Sequence, residues 1–399
     1  MKLVVLTKPL LAALAFLSLS GCIAAVDYGK VRHAEYVADP RCTAQPGAVV
    51  DGEALPLFFA TSRLPDCRTD DVTLLRHRGD KIRYGRFAVP RETEVAGKKK
   101  LRTPMAFQNS ADWWAALQAE TDRRQGRVLL YVHGYRETFE STSKDAAQIA
   151  RMTGFDGPVI EYSWPSQGEV LSYAVDETNM YHDVRNFRDF LKTLAERPWV
   201  KEIVVVSHSL GARLVIPAIS YVDRASSNAD SSNISNVILA SPDIDRETFE
   251  RDIEEEVLSA RRVAVGRRIT VYVSHADKAL AASRALHGYP RLGSPYCFDP
   301  FEAADLKAKG LPVRCYPAAI SGLTVIDTTD VSRSATGHSN FLRSAAACRD
   351  FVDVAQGKRT RPERVATHLA HVFRLLPDPA NPKPDDEAIC NRVPVAAAP

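Results

Sequence analysis

Short runs of consecutive apolar residues alternate, through most of this chain, with longer segments whose apolar positions recur every three or four residues. From Gly126 onward the alternation is regular. The runs RVLLYV (127–132), GPVIEYSW (157–164), KEIVVVS (201–207), NVILASPD (236–243), RITVYVS (268–274) and LTVIDTT (323–329) read as strands, separated by helix-length segments. In Ile203-Val204-Val205-Val206 both faces are apolar, which suits a central parallel strand covered by helices on each side. Tyr181, Val184, Phe187, Phe190, Leu191 and Leu194 make one face of an amphipathic helix, a crossover that covers the sheet. Alternation of this kind predicts an α/β fold, a mostly parallel, doubly wound sheet joined by right-handed crossovers. Two earlier runs, LPLFFATSR and IRYGRFAVP, read as a hairpin or edge pair. The Pro- and Gly-rich stretch from Gly288 to Ala319 (288–319) breaks the alternation and reads as an inserted loop or small cap between the last two strands. No internal repeat and no long low-complexity linker divides the chain. The organisation is therefore a leader (1–21), a lead-in (22–53), one domain (54–376) and a C-terminal tail (377–399).

Composition alters this picture little. With 25% charged and 45% hydrophobic residues among 399, the chain has the makeup of a globular protein. A formal net charge of +3 gives no reason to expect nucleic acid as a partner. Arg261-Arg262, Arg267-Arg268 and Lys98-Lys99-Lys100 lack the interleaved aromatics of a stacking platform and read as solvated surface. The leader changes the picture more. Lys2 and Lys8 precede an apolar stretch from Pro9 to Leu19 that is too short to span a bilayer and is shaped like a signal-peptide core. It ends in Leu19-Ser20-Gly21-Cys22, which resembles the lipobox of bacterial lipoproteins and implies that Cys22 carries a lipid such as palmitate. Ile23 rather than an aspartate comes next, which implies sorting to an outer membrane, with the protein facing the periplasm. The membrane is then a partner through the anchor. Six further cysteines, Cys42, Cys67, Cys297, Cys315, Cys348 and Cys390, form an even set that reads as disulfides in an oxidising compartment. The simplest guess pairs sequence neighbours: Cys42 with Cys67, Cys297 with Cys315, Cys348 with Cys390. No close C-x-x-C pair or H-E-x-x-H stretch suggests a metal, and no cofactor is expected.

The chemistry is carried by the residues just past the strands. IVVVSHSLGARL (203–214) stops a buried strand on Ser207-His208-Ser209 and then starts a helix, and the carboxyl ends of such strands are where α/β folds place their sites. A serine in a tight strand-to-helix turn can project its hydroxyl as a nucleophile if the residues two before and two after it are small, as in G-x-S-x-G. Around Ser209 those places hold Ser207 and Gly211. Around Ser207 they would hold Val205 and Ser209, and a β-branched valine does not fit. Ser209 is therefore the candidate nucleophile, the alternative being a helix N-cap. An earlier strand ends on His133-Gly134-Tyr135, whose Gly134 or Tyr135 amide, with that of Leu210, would make an oxyanion hole. Asp277, just past RITVYVS, is the candidate acid. Asp243 and Asp245 are its rivals, with helix capping as their plainer role. His338, in SATGHSNF beyond the last strand, is the candidate base.

Taken together, LFFATSR, VLLYVHGYRETFE, EYSWPSQG, VVVSHSLGARL, LASPDID, YVSHADKAL, LHGYPRLG and GHSNF resemble a bacterial α/β-hydrolase family of uncharacterised substrate in the esterase/lipase superfamily, over roughly residues 55 to 345. The resemblance implies the α/β-hydrolase fold and supports Ser209, Asp277 and His338 as a triad. It suggests that Trp164 and Tyr135 line the entrance, with His133 and His208 beside Trp164 in the pocket. The expected reaction is hydrolysis of a small-molecule carboxylic ester through an acyl-enzyme, and thioesters or amides would use the same machinery. A lipid-anchored envelope scaffold with a vestigial site is the competing class, disfavoured because all three triad members are present.

Overall fold

The protein's structure, a computed structural model, describes residues 54–66, 73–90, 106–225, 233–358, 364–378, 380–381 and 386–391. In chain order the strands are β1 (Ala54–Asp66), β2 (Thr73–Pro90), β3 (Ala106–Gln108), β4 (Arg127–Val132), β5 (Val159–Ser163), β6 (Glu202–His208), β7 (Ile234–Ala240), β8 (Arg268–Val273), β9 (Leu323–Asp327), β10 (Arg364–Ala366) and β11 (Val372–Leu375). They form one sheet in the order β10-β11-β9-β8-β7-β6-β4-β5-β1-β2-β3. From β11 across to β1 every neighbouring pair is parallel. The strands β10 at one edge and β2 and β3 at the other run antiparallel to their neighbours. The chain leaves β4 toward β5 on one side and leaves β6 toward β7 on the other, so the winding reverses between β4 and β6. Such a reversal opens a crevice outside the carboxyl ends of the two strands.

Alternating residues of each strand feed two separate cores, as the pleat requires. Val128, Leu130, Ile203 and Val205 pack with residues of helices α1 (Ser110–Asp122), α3 (Tyr173–Ala195), α4 (Ala212–Ala225) and α5 (Arg246–Glu256) on one face. Leu129, Tyr131, Val204 and Val206 pack with α2 (Phe139–Thr153), α9 (Asn340–Arg343) and α10 (Ala345–Ala355) on the other. The remaining helices are α6 (Ala260–Ala264), α7 (Lys278–His287), α8 (Pro300–Ala308) and α11 (Asp386–Cys390). The helix expected around Tyr181–Leu194 is the C-terminal part of α3, where Phe187, Phe190, Leu191 and Leu194 form the buried stripe while Tyr181, expected on that face, is exposed. Among the described residues no helix is long and apolar enough to cross a membrane.

Four expectations are revised. Of the arginines read as solvated surface, Arg262 and Arg267 are buried and both pair with the Asp223 carboxylate on α4. The early pair β1 and β2 is antiparallel, but β1 is interior, because Leu57, Phe58, Phe59 and Ala60 are apolar on both faces and β1 also pairs with β5. The stretch 288–319 is only partly a cap. Residues 290–295 are buried, with Leu292 N donating to Ile244 O, Gly293 N to Pro242 O and Ser274 N to Gly293 O, so this segment wedges between the loops after β7 and β8. Only its second half, with α8 and the Cys297–Cys315 disulfide, stands outside. The domain also extends past residue 376, since Cys390 is buried in the second core and bonded to Cys348. Cys22, Cys42 and Cys67 lie outside the described residues.

Candidate active site

β6 ends at His208 and α4 begins at Ala212, with a single 3-10 turn, Ser209–Gly211, between them. Ser209 has φ +51°, a left-handed conformation that a non-glycine residue holds only where its surroundings dictate it. The surroundings here are crowded. A Cβ on Gly211 would lie 2.5 Å from His133 O and 3.2 Å from Ser207 Oγ, so only glycine fits and Ser207 fills the space where the motif more often has glycine. Asp243 N donates to Ser209 O at 3.0 Å, tying the turn to the loop after β7. Ser209 itself is 4% exposed, so it sits recessed rather than on a surface turn.

Asp277 closes the loop after β8 and caps α7. Its Oδ1 accepts from Leu280 N at 2.9 Å, and its Oδ2 accepts from His338 Nδ1 at 2.7 Å. One carboxylate thus caps a helix and orients an imidazole. Burial alone would lower the His338 pKa, but the Asp277 charge and hydrogen bond outweigh it and hold the ring above its ordinary value. His338 is brought to the nucleophile turn by His208. The two rings are 4.8 Å apart, and His208 Nε2 donates to His338 O at 3.2 Å. Burial, then the neighbouring His338, pushes the His208 pKa down to about 3, so this ring is neutral, with Phe341 on its flank. His208 therefore braces His338 and is itself buried rather than lining an open pocket.

The loop after β4 faces the same turn. A Cβ on Gly134 would lie 2.6 Å from Ser209 Cβ and 3.0 Å from His208 O, which measures how closely this loop approaches Ser209. Leu210 lies in the first turn of the helical segment, where amides have no carbonyl from a preceding turn. Amides of both segments therefore border Ser209. The loop is fixed by residues that sequence reasoning missed. Arg63, fully buried, donates to Ser163 Oγ at 2.9 Å, Ser166 O at 3.0 Å and Glu137 O at 2.9 Å, and burial lowers its pKa to about 10. Asp176 accepts from Arg136 N at 3.0 Å, Gln167 N at 2.6 Å and Ser166 Oγ at 2.5 Å, holding Arg136 at φ +65°. The signal was present in LFFATSR and EYSWPSQG, polar residues at strand ends, but nothing in either run says that they meet.

His133 and Trp164 do not line an entrance. Both are fully buried and stack with ring centroids 4.9 Å apart. His133 places Nδ1 2.8 Å from Gly134 O and Nε2 3.1 Å from Trp164 O, and Trp164 Nε1 donates to His133 O at 2.9 Å. They form the floor that supports the Gly134 loop. Tyr135 is partly exposed and edge-on to Tyr173 at 5.2 Å, with Tyr173 in turn 5.7 Å from the His287 ring. Asp243 is away from His338's hydrogen bonds. It accepts from Tyr173 Oη at 2.6 Å, Ser283 Oγ at 2.7 Å and Arg291 Nε at 2.7 Å, and Arg213 Nε donates to its carbonyl at 2.6 Å. Burial would raise its pKa, but Arg291 and Arg213 hold it below the ordinary range. Asp245 caps α5 through Thr248 N at 2.7 Å. Among the described residues the one cluster with metal-ligand types is Cys297, Glu302 and Cys315, whose two sulfurs are bonded to each other and so are not thiolate ligands.

Comparison with known proteins bears on this site through the family alone. No match was found among curated protein sequences. Solved structures give distant likenesses. A predicted CIB-like hydrolase from Thermoplasma acidophilum has a TM-score of 0.32 at 13% identity, over 68% of this chain and 89% of that one. A hyperthermophilic esterase from Pyrobaculum calidifontis has 0.31 at 12%, over 69% and 80%. The esterase Est2 from Thermogutta terrifontis has 0.25 at 16%, over 66% and 92%. Overlaps this loose carry no argument about activity. The family model described as alpha/beta hydrolase of unknown function (DUF900) matches residues 109–353, which run from the last residue before α1 into α10 and include Ser209, Asp277 and His338. With that match over more than half its length, and with this sheet order, the chain belongs to the α/β-hydrolase family of that description.

Proposed function

We propose that the protein is a serine hydrolase that cleaves carboxylic esters through an acyl-enzyme. The observation that carries the reading is the Asp277–His338 hydrogen bond of 2.7 Å, held by His208 beside a serine in left-handed conformation. His338 Nε2 takes the proton of Ser209 as Oγ bonds to the ester carbonyl carbon. Asp277 keeps the proton on Nδ1 and offsets the imidazolium charge. The Leu210 amide and one from Gly134–Tyr135 hold the oxyanion. Collapse of the tetrahedral adduct breaks the ester C–O bond, and the departing alkoxide leaves as the alcohol with the proton from His338. Water then attacks the acyl-enzyme with the same base, releasing the acid and restoring Ser209. Side chains and backbone supply every group these steps use. The lipobox resemblance extends the reading to an enzyme tethered through lipidated Cys22, with its site facing the periplasm.

The test is pre-steady-state hydrolysis of p-nitrophenyl butyrate. An acyl-enzyme predicts a burst of p-nitrophenol of about one equivalent wherever deacylation is the slower step, and a steady rate that climbs with pH. Because the base must be neutral and Asp277 raises its pKa, the half-maximal point should lie above about 6.5. A folded protein that turns over no activated ester at any pH from 6 to 9 (roughly the span of the limb) contradicts the reading.

A further inference from the structure

From the Tyr135 loop outward the chain carries a series of exposed apolar side chains. Val170 and Leu171, just before α3, are each 61% exposed, and the Tyr135 hydroxyl donates to the Val170 carbonyl. Two residues on, Tyr173 meets His287 at the end of α7. Beside His287 are Leu286, 65% exposed, and Tyr289, whose ring stacks on Phe298 at 5.9 Å with both rings exposed. Three residues further, at the start of α8, Phe301 is 82% exposed. Ring contacts run from Tyr135 through Tyr173 to His287, and chain succession from there through the Tyr289–Phe298 pair to α8 completes an arc from the Gly134 loop to the disulfide-bonded cap. Cys297–Cys315 and the cation–π contact of Arg284 over Tyr296 at 3.5 Å hold the outer part of the arc in place.

We propose that this arc docks on the surface of a lipid bilayer, and that the esters reaching Ser209 are lipid esters drawn from it. The substrate half of the proposal rests on the ester-hydrolase reading; the docking half does not. Side chains that protrude singly, with tyrosine and phenylalanine prominent, suit the boundary between headgroups and acyl chains, where an aromatic ring can be apolar at one end and wet at the other. The bilayer is the occupant favoured here because the sequence supplies a second link to it. The 31 residues between Cys22 and Ala54 span roughly 100 Å when extended, at about 3.3 Å per residue. That reach lets a lipid-anchored domain turn its mouth toward the membrane, although β1 begins at the opposite end of the parallel strands. Glu302 and Asp305 on α8 offset Lys307 and the following Lys309, so this end of the arc offers apolar contact without excess positive charge and fits a neutral lipid interface.

The test uses the full chain and vesicles of phosphatidylcholine carrying dioctanoylglycerol. Hydrogen exchange of peptides covering 168–173 and 284–301 reads docking without reference to catalysis. Vesicles should slow exchange there by fivefold or more in the wild type, and Leu286→Ser/Phe298→Ser/Phe301→Ser should lose that protection. The same triple variant should lower the ratio of dioctanoylglycerol to p-nitrophenyl acetate hydrolysis at least tenfold. Exchange indifferent to vesicles overturns the docking proposal, as does protection that rises with protein concentration in the absence of lipid, which would assign the arc to a second copy of the chain. Protection by vesicles with neither ester hydrolysed would leave docking standing and sink the esterase reading. Hydrolysis of p-nitrophenyl acetate without protection would do the reverse.

Discussion

Gly134→Ala places one methyl group between the two halves of the site. The new Cβ would be 2.6 Å from Ser209 Cβ, 3.0 Å from His208 O and 3.4 Å from His208 Nδ1. The nearest atoms belong to the elbow's backbone and first side-chain carbon, so no flexible side-chain end can swing away. To reach ordinary contact at 3.4 Å, the loop and the elbow must separate by about 0.8 Å. Gly134 is not among the glycines at positive φ, so the cost is steric alone. Overpacking of this kind costs about 1–3 kcal/mol of stability. The larger effect falls on turnover. A displacement approaching 1 Å costs about 100-fold, and loss of one oxyanion donor about 100- to 1000-fold, or roughly 2.7–4 kcal/mol of transition-state stabilisation. The assay is kcat and KM for p-nitrophenyl butyrate beside a thermal melt. The expectation is kcat down at least 100-fold, KM within about threefold, and a melting temperature lower by several degrees. A variant that keeps kcat within threefold of wild type would remove the loop after β4 from the oxyanion hole.

Asp277→Asn should lower kcat by about 10⁴-fold and move the alkaline rise of the rate to lower pH, because the group that raises the His338 pKa is gone; pH–rate profiles of both proteins check this. Asp243→Asn leaves that pair intact but leaves Arg291 and Arg213 beside a neutral amide, so it should cost about 3–5 kcal/mol in urea unfolding while kcat per folded molecule falls far less than in Asp277→Asn. Glu161 is fully buried on β5, accepts from Ser143 Oγ at 2.8 Å, and burial raises its pKa to about 8. Its folded pKa lies above the unfolded value of about 4.5, so the folded state keeps a proton that the unfolded chain has lost, and stability falls as pH rises through that window. Between about pH 5 and 8 this group should account for a loss on the order of 3–4 kcal/mol, which Glu161→Gln should largely abolish in denaturant titrations at the two pH values.

The sheet was legible because Ile203–Val206 and its companions are apolar on both faces, which few other environments permit. Ser209 and Asp277 stood out as candidates because each follows such a run directly, and His338 because it lies beyond the last of them; Asp243 fits the same chain order and was set aside for its plainer role as a helix cap, and the structure pairs Asp277 with His338. Less visible were the features made by residues distant in sequence. Arg63 and Asp176 hold the Gly134 loop through Ser163, Ser166 and backbone groups, and no local spacing announces a network assembled from four elements. Two readings gave way. The resemblance suggested His133 and Trp164 as lining of the pocket, yet each satisfies the other's backbone in a sealed stack. The Pro- and Gly-rich 290–295 suggested exposure, yet its carbonyls and amides complete the loops after β7 and β8. The short strands β10 and β11 lacked the length to register as apolar runs, so the domain was ended too early, although the pairing of Cys348 with Cys390 was read correctly from their succession in the chain.

The central claim is that Ser209 is the group that bonds to the substrate, and a fluorophosphonate probe followed by intact mass and peptide mapping tests it most directly. The account predicts one adduct per chain, on the peptide that contains Ser209, with labelling that rises with pH as His338 loses its proton and that disappears in Ser209→Ala while the melting temperature stays within a degree or two. An adduct on Ser207 or any other residue, or a folded wild-type chain that takes up no probe at all, would contradict it.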